Sequence, residues 1–175
     1  MTLRGCWTTI VRMRITIARA AGPSAASQVA EPPSAVAEFS ADYWDAFRIS
    51  RVAGARPCTW ATLALRGADA ANRAFGGLVW HTLMGFKLAP RVASDALVGW
   101  HVTANTSDRL VLDVDGTRTA GRMTFEHVGN DMLWTTMLRH HGRSGENVWA
   151  VLGKAHRALA PRCLEHARRS LIDGA

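Results

Sequence analysis

The sequence predicts an α+β fold: a curved antiparallel sheet packs one apolar face on a long C-terminal helix, and two short helices follow the first strand. Three observations predict it. Residues 145 to about 172 place Trp149, Leu152, His156, Leu159, Cys163, Ala167 and Leu171 along one helical face, with Lys154, Arg157, Glu165, Arg168 and Arg169 largely on the other. Residues 98 to 140 alternate apolar and polar side chains around two turn signals, Asp115-Gly116 and Gly129-Asn130. Between an aromatic first strand and that meander the apolar spacing changes from two to three or four. A long helix covering a sheet that is apolar on one face is an α+β layering.

Residues 1 to 37 read as a tail, either disordered or preceding the true start, since Met13 is an equally reasonable initiator. Within it, the stretch AAGPSAASQVAEPPSAVA is rich in Ala, Ser and Pro without periodicity. The domain is expected over residues 38 to 175. DYWDAFRI, residues 42 to 49, is aromatic and β-branched enough for the first strand, which ends before Gly54 and Pro57. Residues 58 to 66 and 69 to 84 then space Leu63, Ala64, Ala71, Phe75, Leu78, Val79 and Leu83 for two helices. Gly76-Gly77 weakens the second helix and predicts a kink or break.

Val98, Trp100 and Val102, alternating with Gly99, His101 and Thr103, form the next strand, before a loop over residues 105 to 108. A type I′ turn at Asp115-Gly116 pairs Val114 with Thr117, Asp113 with Arg118, Leu112 with Thr119 and Leu110 with Gly121. A type II′ turn at Gly129-Asn130 pairs Val128 with Asp131, His127 with Met132, Phe125 with Trp134, Met123 with Thr136 and Gly121 with Leu138. One face then carries Leu110, Leu112, Gly121, Met123, Phe125, His127, Met132, Trp134, Thr136, Leu138 and His140. Asp113, Arg118, Arg122, Thr124, Glu126 and Arg139 fall on the other. Ser144 suits the N-cap of the last helix, and Pro161 predicts a kink within it.

Composition excludes several classes. At 48% apolar and 20% charged, the 175 residues are neither disordered throughout, nor collagen-like, nor a coiled-coil rod. The net charge of +7 resides largely in Arg4, Arg12, Arg14 and Arg19, so the remaining 17 basic residues face 14 acidic ones without a basic stripe. No nucleic-acid partner is expected; the basic tail offers at most a contact with a membrane surface. The longest uncharged apolar stretch, residues 74 to 86, has 13 residues, short of the roughly 20 that a membrane span needs. Arg12, Arg14 and Arg19 interrupt any signal-peptide core. Cys6, Cys58 and Cys163 show no paired spacing, so no disulfide framework or zinc site is expected, and a reducing cytoplasm is the expected compartment.

The order strand, two helices, antiparallel meander, long C-terminal helix resembles the START or SRPBCC helix-grip fold. DYWDAFRI, VWHTLMGFKLAP, GWHV, TTMLRHH and VWAVLGKAHRALAPRCLEHA, within residues 40 to 170, resemble a family of small SRPBCC-like domains of unknown function common in high-GC bacteria. The resemblance implies a cavity for a hydrophobic ligand between the sheet and the last helix. It implies no reaction and no catalytic residue.

Read residue by residue, Trp80, Trp100, Trp134 and Trp149 lie on apolar faces, where core packing is the ordinary role and pocket lining the functional one. The ligand-lining set expected from the residues is Trp80, Trp100, Met123, Phe125, Met132, Trp134, Thr136, Leu152 and His156. His127 and His140 are the candidate acid–base groups, because an unperturbed imidazole titrates near pH 6.5. They lie at different ends of the face, and His141 points to the opposite side from His140, so no shared metal is expected. Outward-facing Glu126 leaves His127 without an orienting carboxylate, while His81 and His156 could both approach the sheet. No G-x-S-x-G elbow and no phosphate loop is present, and no cofactor is expected. Three functions remain open: a module binding a small hydrophobic lipid- or polyketide-like molecule, a cyclase- or dehydratase-type enzyme using an inward His, and a protein-interaction module with a filled core.

Overall fold

The computed structural model describes residues 25–66, 79–90 and 93–174. In chain order the elements begin with β1 (Ser27–Gln28), α1 (Ser34–Phe39), β2 (Tyr43–Ser50), α2 (Pro57–Arg66) and a π-helical turn (Val79–Leu83). They continue with β3 (Ala96–Leu97), β4 (Trp100–Asn105), β5 (Arg109–Val114), β6 (Thr119–Val128), β7 (Asp131–His140) and α3 (Arg143–Asp173). The strands form one open seven-stranded antiparallel sheet in the order β1-β2-β7-β6-β5-β4-β3. The α+β class, the antiparallel meander and the long C-terminal helix are therefore as the sequence predicts. No described helix is long and apolar enough to cross a membrane.

Pairing of β6 with β7 follows the register expected from Gly129-Asn130: Phe125 faces Trp134 and Met123 faces Thr136. Gly129 takes φ +58° while Asn130 keeps φ negative, as a II′ turn requires. The other hairpin departs from expectation. Val114 pairs with Gly121, Asp113 with Arg122, Leu112 with Met123 and Leu110 with Phe125, a slip of four residues on the partner strand. The cause is tertiary. The Thr117 amide donates to the Gly85 carbonyl at 2.9 Å, the Lys87 amide to the Asp115 carbonyl at 2.8 Å, and the Arg118 guanidinium to the Thr82 and Leu83 carbonyls. Segment 82–87 thus captures the residues that would otherwise close a two-residue turn. Because four is even and side chains alternate with period two, the same residues still face the core.

Two further elements differ from the sequence reading. Val98 belongs to no strand: with φ +49° it forms, with Gly99 at φ +90°, the tight turn joining β3 to β4. A β-branched residue rarely enters that region, which hides the turn from sequence. Helix α3 begins at Arg143 after Gly142, with no side-chain cap, so Ser144 lies inside the helix and is not its N-cap. The helix runs through Pro161, and Leu159, expected inward, is among the exposed large apolar residues. Most of the second short helix expected over 69 to 84 lies outside the described residues; its end is the π-helical turn.

The inner face buries Phe47, Ile49, Leu112, Met123, Phe125 and Trp134 against Trp60 and Leu63 of α2 and Ala160 and Leu164 of α3. The outer face is also covered. Thr124, Thr135 and Met137 are buried, and α1 packs on β7 with Ala35 fully inaccessible. Phe39 lies under two guanidinium groups, Arg122 at 5.1 Å and Arg139 at 5.4 Å, and Glu38 pairs with Arg109 at 2.8 Å. Residues 25–37, expected to belong to a tail, thus contribute β1, which pairs with β2, and most of α1. Their Ala- and Pro-rich composition carries no period because the contact is a single helical turn and a two-residue edge pairing. Cys58 is disulfide-bonded, where the cysteine spacing predicts no disulfide, and Cys163 is free.

Candidate functional site

Alternation along β2 sends Tyr43, Asp45, Phe47 and Ile49 to the inner face, where their partners on β7 are Leu138, Thr136, Trp134 and Met132. Asp45 is therefore a carboxylate placed by strand period on an apolar surface, and it is 1% exposed. Burying a charge is costly unless it is hydrogen-bonded. Two partners meet it. The Tyr43 hydroxyl donates to Oδ2 at 2.6 Å, and His156 Nε2, from α3, approaches Oδ1 at 3.3 Å. Arg157 Nη1 in turn donates to the Tyr43 oxygen at 3.0 Å.

The chain of contacts Arg157–Tyr43–Asp45–His156 balances one cation against one carboxylate through a neutral phenol. Burial, reinforced by the adjacent Asp45 charge, pushes the Tyr43 hydroxyl well above the ordinary phenol range, so it remains a donor. A carboxylate oxygen only accepts, so Nε2 of His156 carries the proton in this contact. In the neutral ring the lone pair then belongs to Nδ1, which makes no hydrogen bond with any described residue.

Aromatic rings enclose this group. Trp149 lies 5.3 Å and Trp134 6.0 Å from the His156 ring, Tyr43 meets Trp149 edge-on at 5.1 Å, and Phe125 stacks on Trp134 at 5.1 Å. The indole N–H groups of Trp134 and Trp149 and the hydroxyl of Thr136 are buried without a hydrogen-bond partner among the described residues. Buried donors without acceptors are rare, each costing roughly 1–3 kcal/mol. Trp60 and Trp100 also bury indole N–H groups that have no partner among the described residues. The site is thus a buried carboxylate paired with a half-buried imidazole, in an aromatic surround with donors that have no partner among the described residues.

Of the residues expected to line a ligand site, Trp134, Thr136 and His156 come together here, and Leu152 lies one turn before His156 on α3, partly buried. Met123, Phe125 and Met132 are buried in the sheet's core. Trp80 and Trp100 pack edge-to-face at 5.8 Å, with Phe86 5.3 Å from Trp100. Trp100 belongs to β4, four strand positions from β2, roughly 19 Å at a spacing of about 4.8 Å. The candidate acid–base residues are placed elsewhere. His127 Nε2 lies 3.1 Å from the Ala55 carbonyl and Nδ1 3.7 Å from Asp108, tying two loops together. His140 Nδ1 lies 3.3 Å from Thr119 Oγ1, beneath the first turn of α3. His81 is exposed.

Neither His127 nor His140 touches the Asp45 cluster; the imidazole that does is His156. Tyr43, Asp45 and Arg157 went unread in the sequence. A signal existed: an acidic residue at an inward position of DYWDAFRI breaks the apolar set Tyr43, Phe47 and Ile49. Cys163, on the same helix, is no nucleophile in this setting, because burial pushes its thiol up to about 11. Among the described residues no group of three or more His, Cys, Asp or Glu side chains could hold a metal ion. No family model, no curated protein and no solved structure matches the chain.

Proposed function

We propose that the protein is a helix-grip module of the START or SRPBCC type that binds a small, mostly apolar molecule bearing hydrogen-bond acceptors between its sheet and α3. The observation that carries this reading is the set of buried, unpaired donors around Asp45 and His156: the indole N–H groups of Trp134 and Trp149 and the Thr136 hydroxyl. An apolar surround with a few fixed polar groups is the usual make-up of a small-molecule site. Acceptors on a ligand would satisfy these donors at their own depth. The pairing of β2, the first long strand, with the last strand β7, and the 31-residue helix that follows β7, support the helix-grip reading.

Native mass spectrometry of protein purified from its own host tests the proposal, followed by denaturation and identification of released small molecules. A retained apolar compound carrying carbonyl or ether oxygens is expected. Monodisperse protein with nothing bound, and no thermal shift with such compounds, would overturn the reading in favour of a filled core serving protein contacts.

A further inference from the structure

A ligand site with unused donors becomes a reaction site when a base faces the same space. We propose that His156 is a general base that moves a proton on a neutral aromatic ketone, with Asp45 and Tyr43 as the residues that position it; the inference rests on the binding reading above. The geometry is that of a held imidazole. Asp45, buried and fixed at Oδ2 by Tyr43, takes the Nε2 hydrogen of His156 at 3.3 Å and orients Nδ1 away from the sheet-bound carboxylate. An orienting carboxylate also stabilises the imidazolium that proton abstraction creates. Arg157 offsets the Asp45 charge through Tyr43, so the group as a whole calls for an uncharged substrate.

The ligand chemistry follows from what the site lacks. Donors without acceptors among the described residues, near an imidazole whose Nδ1 makes no hydrogen bond with any of them, fit a compound having a carbonyl oxygen and an acidic C–H next to it. Aromatic walls at 5.3 and 6.0 Å from His156 favour a flat apolar body. In the step, the C–H bond breaks as the Nδ1–H bond forms, and the electron pair moves to the carbonyl oxygen. The enolate oxygen accepts hydrogen bonds from the indole N–H groups, which stabilise the developing charge. Return of the proton from Nδ1, to the same carbon or a conjugated one, restores the ketone and the neutral imidazole. Nothing is oxidised or reduced, and no co-reactant enters.

The test uses 2-tetralone with the full chain in D2O, following deuterium uptake at the carbon between the carbonyl and the ring by NMR, and binding by tryptophan fluorescence. Wild type should exchange roughly 10²-fold faster than His156→Gln, the lower range for a positioned acid–base group. Asp45→Asn should still bind but exchange more slowly, with the loss falling on kcat and KM little changed, as expected when a positioning contact to the base is removed. Tyr43→Phe, which keeps ring packing but removes the hydrogen bond that fixes Asp45, gives a second reading if Asp45→Asn does not fold. Its rate should fall with binding retained. Bound tetralone exchanging at the buffer rate, or His156→Gln matching wild type, would overturn the catalytic inference and leave the binding reading standing. Absence of both binding and exchange would overturn this inference with its ligand class, and the mass-spectrometric test alone would then decide the binding reading.

Discussion

Replacing Gly121 by Ala separates packing from backbone propensity, because the two make opposite predictions. Gly121 lies in the middle of the sheet on β6, paired with Val114 and Leu138, and its φ is not in the left-handed region. On backbone grounds alone Ala would stabilise by about 0.4–1 kcal/mol, through reduced freedom of the unfolded chain. The packing says otherwise. A Cβ at Gly121 would sit 2.7 Å from the Cη2 atom of Trp100 and 3.3 Å from Phe86. Ordinary contact begins at about 3.4 Å, so the Trp100 ring would have to retreat by roughly 0.7 Å. It has little room, being 2% exposed and held edge-on by Phe86 and Trp80. Overpacking of this kind costs about 1–3 kcal/mol. Offset by the backbone gain, the net loss of about 1 kcal/mol lowers Tm by roughly 2–4 °C in a domain of this size. Urea unfolding followed by tryptophan fluorescence reads the change as a lower midpoint at unchanged slope. In the Gly121→Ala background, Trp100→Phe should cost less than it does in the wild type, a coupling that a double-mutant cycle measures directly. A Gly121→Ala protein as stable as the wild type would refute the claim that this glycine exists to admit the Trp100 ring.

Two further outcomes are expected. Tyr43 is the only tyrosine in the chain, so phenolate absorbance near 295 nm titrates it alone. Burial and the Asp45 charge place its midpoint well above the usual value near 10, and an ordinary midpoint would contradict the Tyr43–Asp45 contact. Since the unfolded chain loses that proton first, stability falls as pH rises above about 10 and is unaffected by this group below it. Phe39→Ala removes the ring beneath Arg122 and Arg139 and should cost about 1–2 kcal/mol in urea unfolding, at about 0.5–1 kcal/mol per cation–π contact. An unchanged midpoint would show that α1 does not seal the outer face.

Much of the sheet was legible because its information is local. Alternation over β6 and β7 and a glycine at the first turn position fix both which face is inward and which residues pair. The final helix was legible for the same reason, a repeat sustained across 31 residues. Errors fall where a local signal met a distant competitor. Asp115-Gly116 reads as a two-residue turn, yet the backbone of segment 82–87 satisfies its amide and carbonyl groups better than a hairpin would. Val98 accepts a left-handed conformation because the β3–β4 pairing requires it.

The candidate site divides along the same line. Sequence alone determined the α+β class, the inner face of the meander, and the inward position of Trp134, Thr136 and His156, since each follows from a period of two or 3.6 residues. It also contained, in an acidic residue among inward aromatic and aliphatic ones, the trace of a polar centre. Which imidazole meets that carboxylate was decided only by the tertiary structure. Asp45 and His156 are separated by 111 residues, and their contact depends on where α3 crosses the first long strand, a relation that no local pattern encodes. His127 and His140, by contrast, are kept at opposite ends of the sheet by strand register alone, because His127 pairs with Met132, which stands eight residues from His140 along β7, roughly 26 Å at about 3.3 Å per residue.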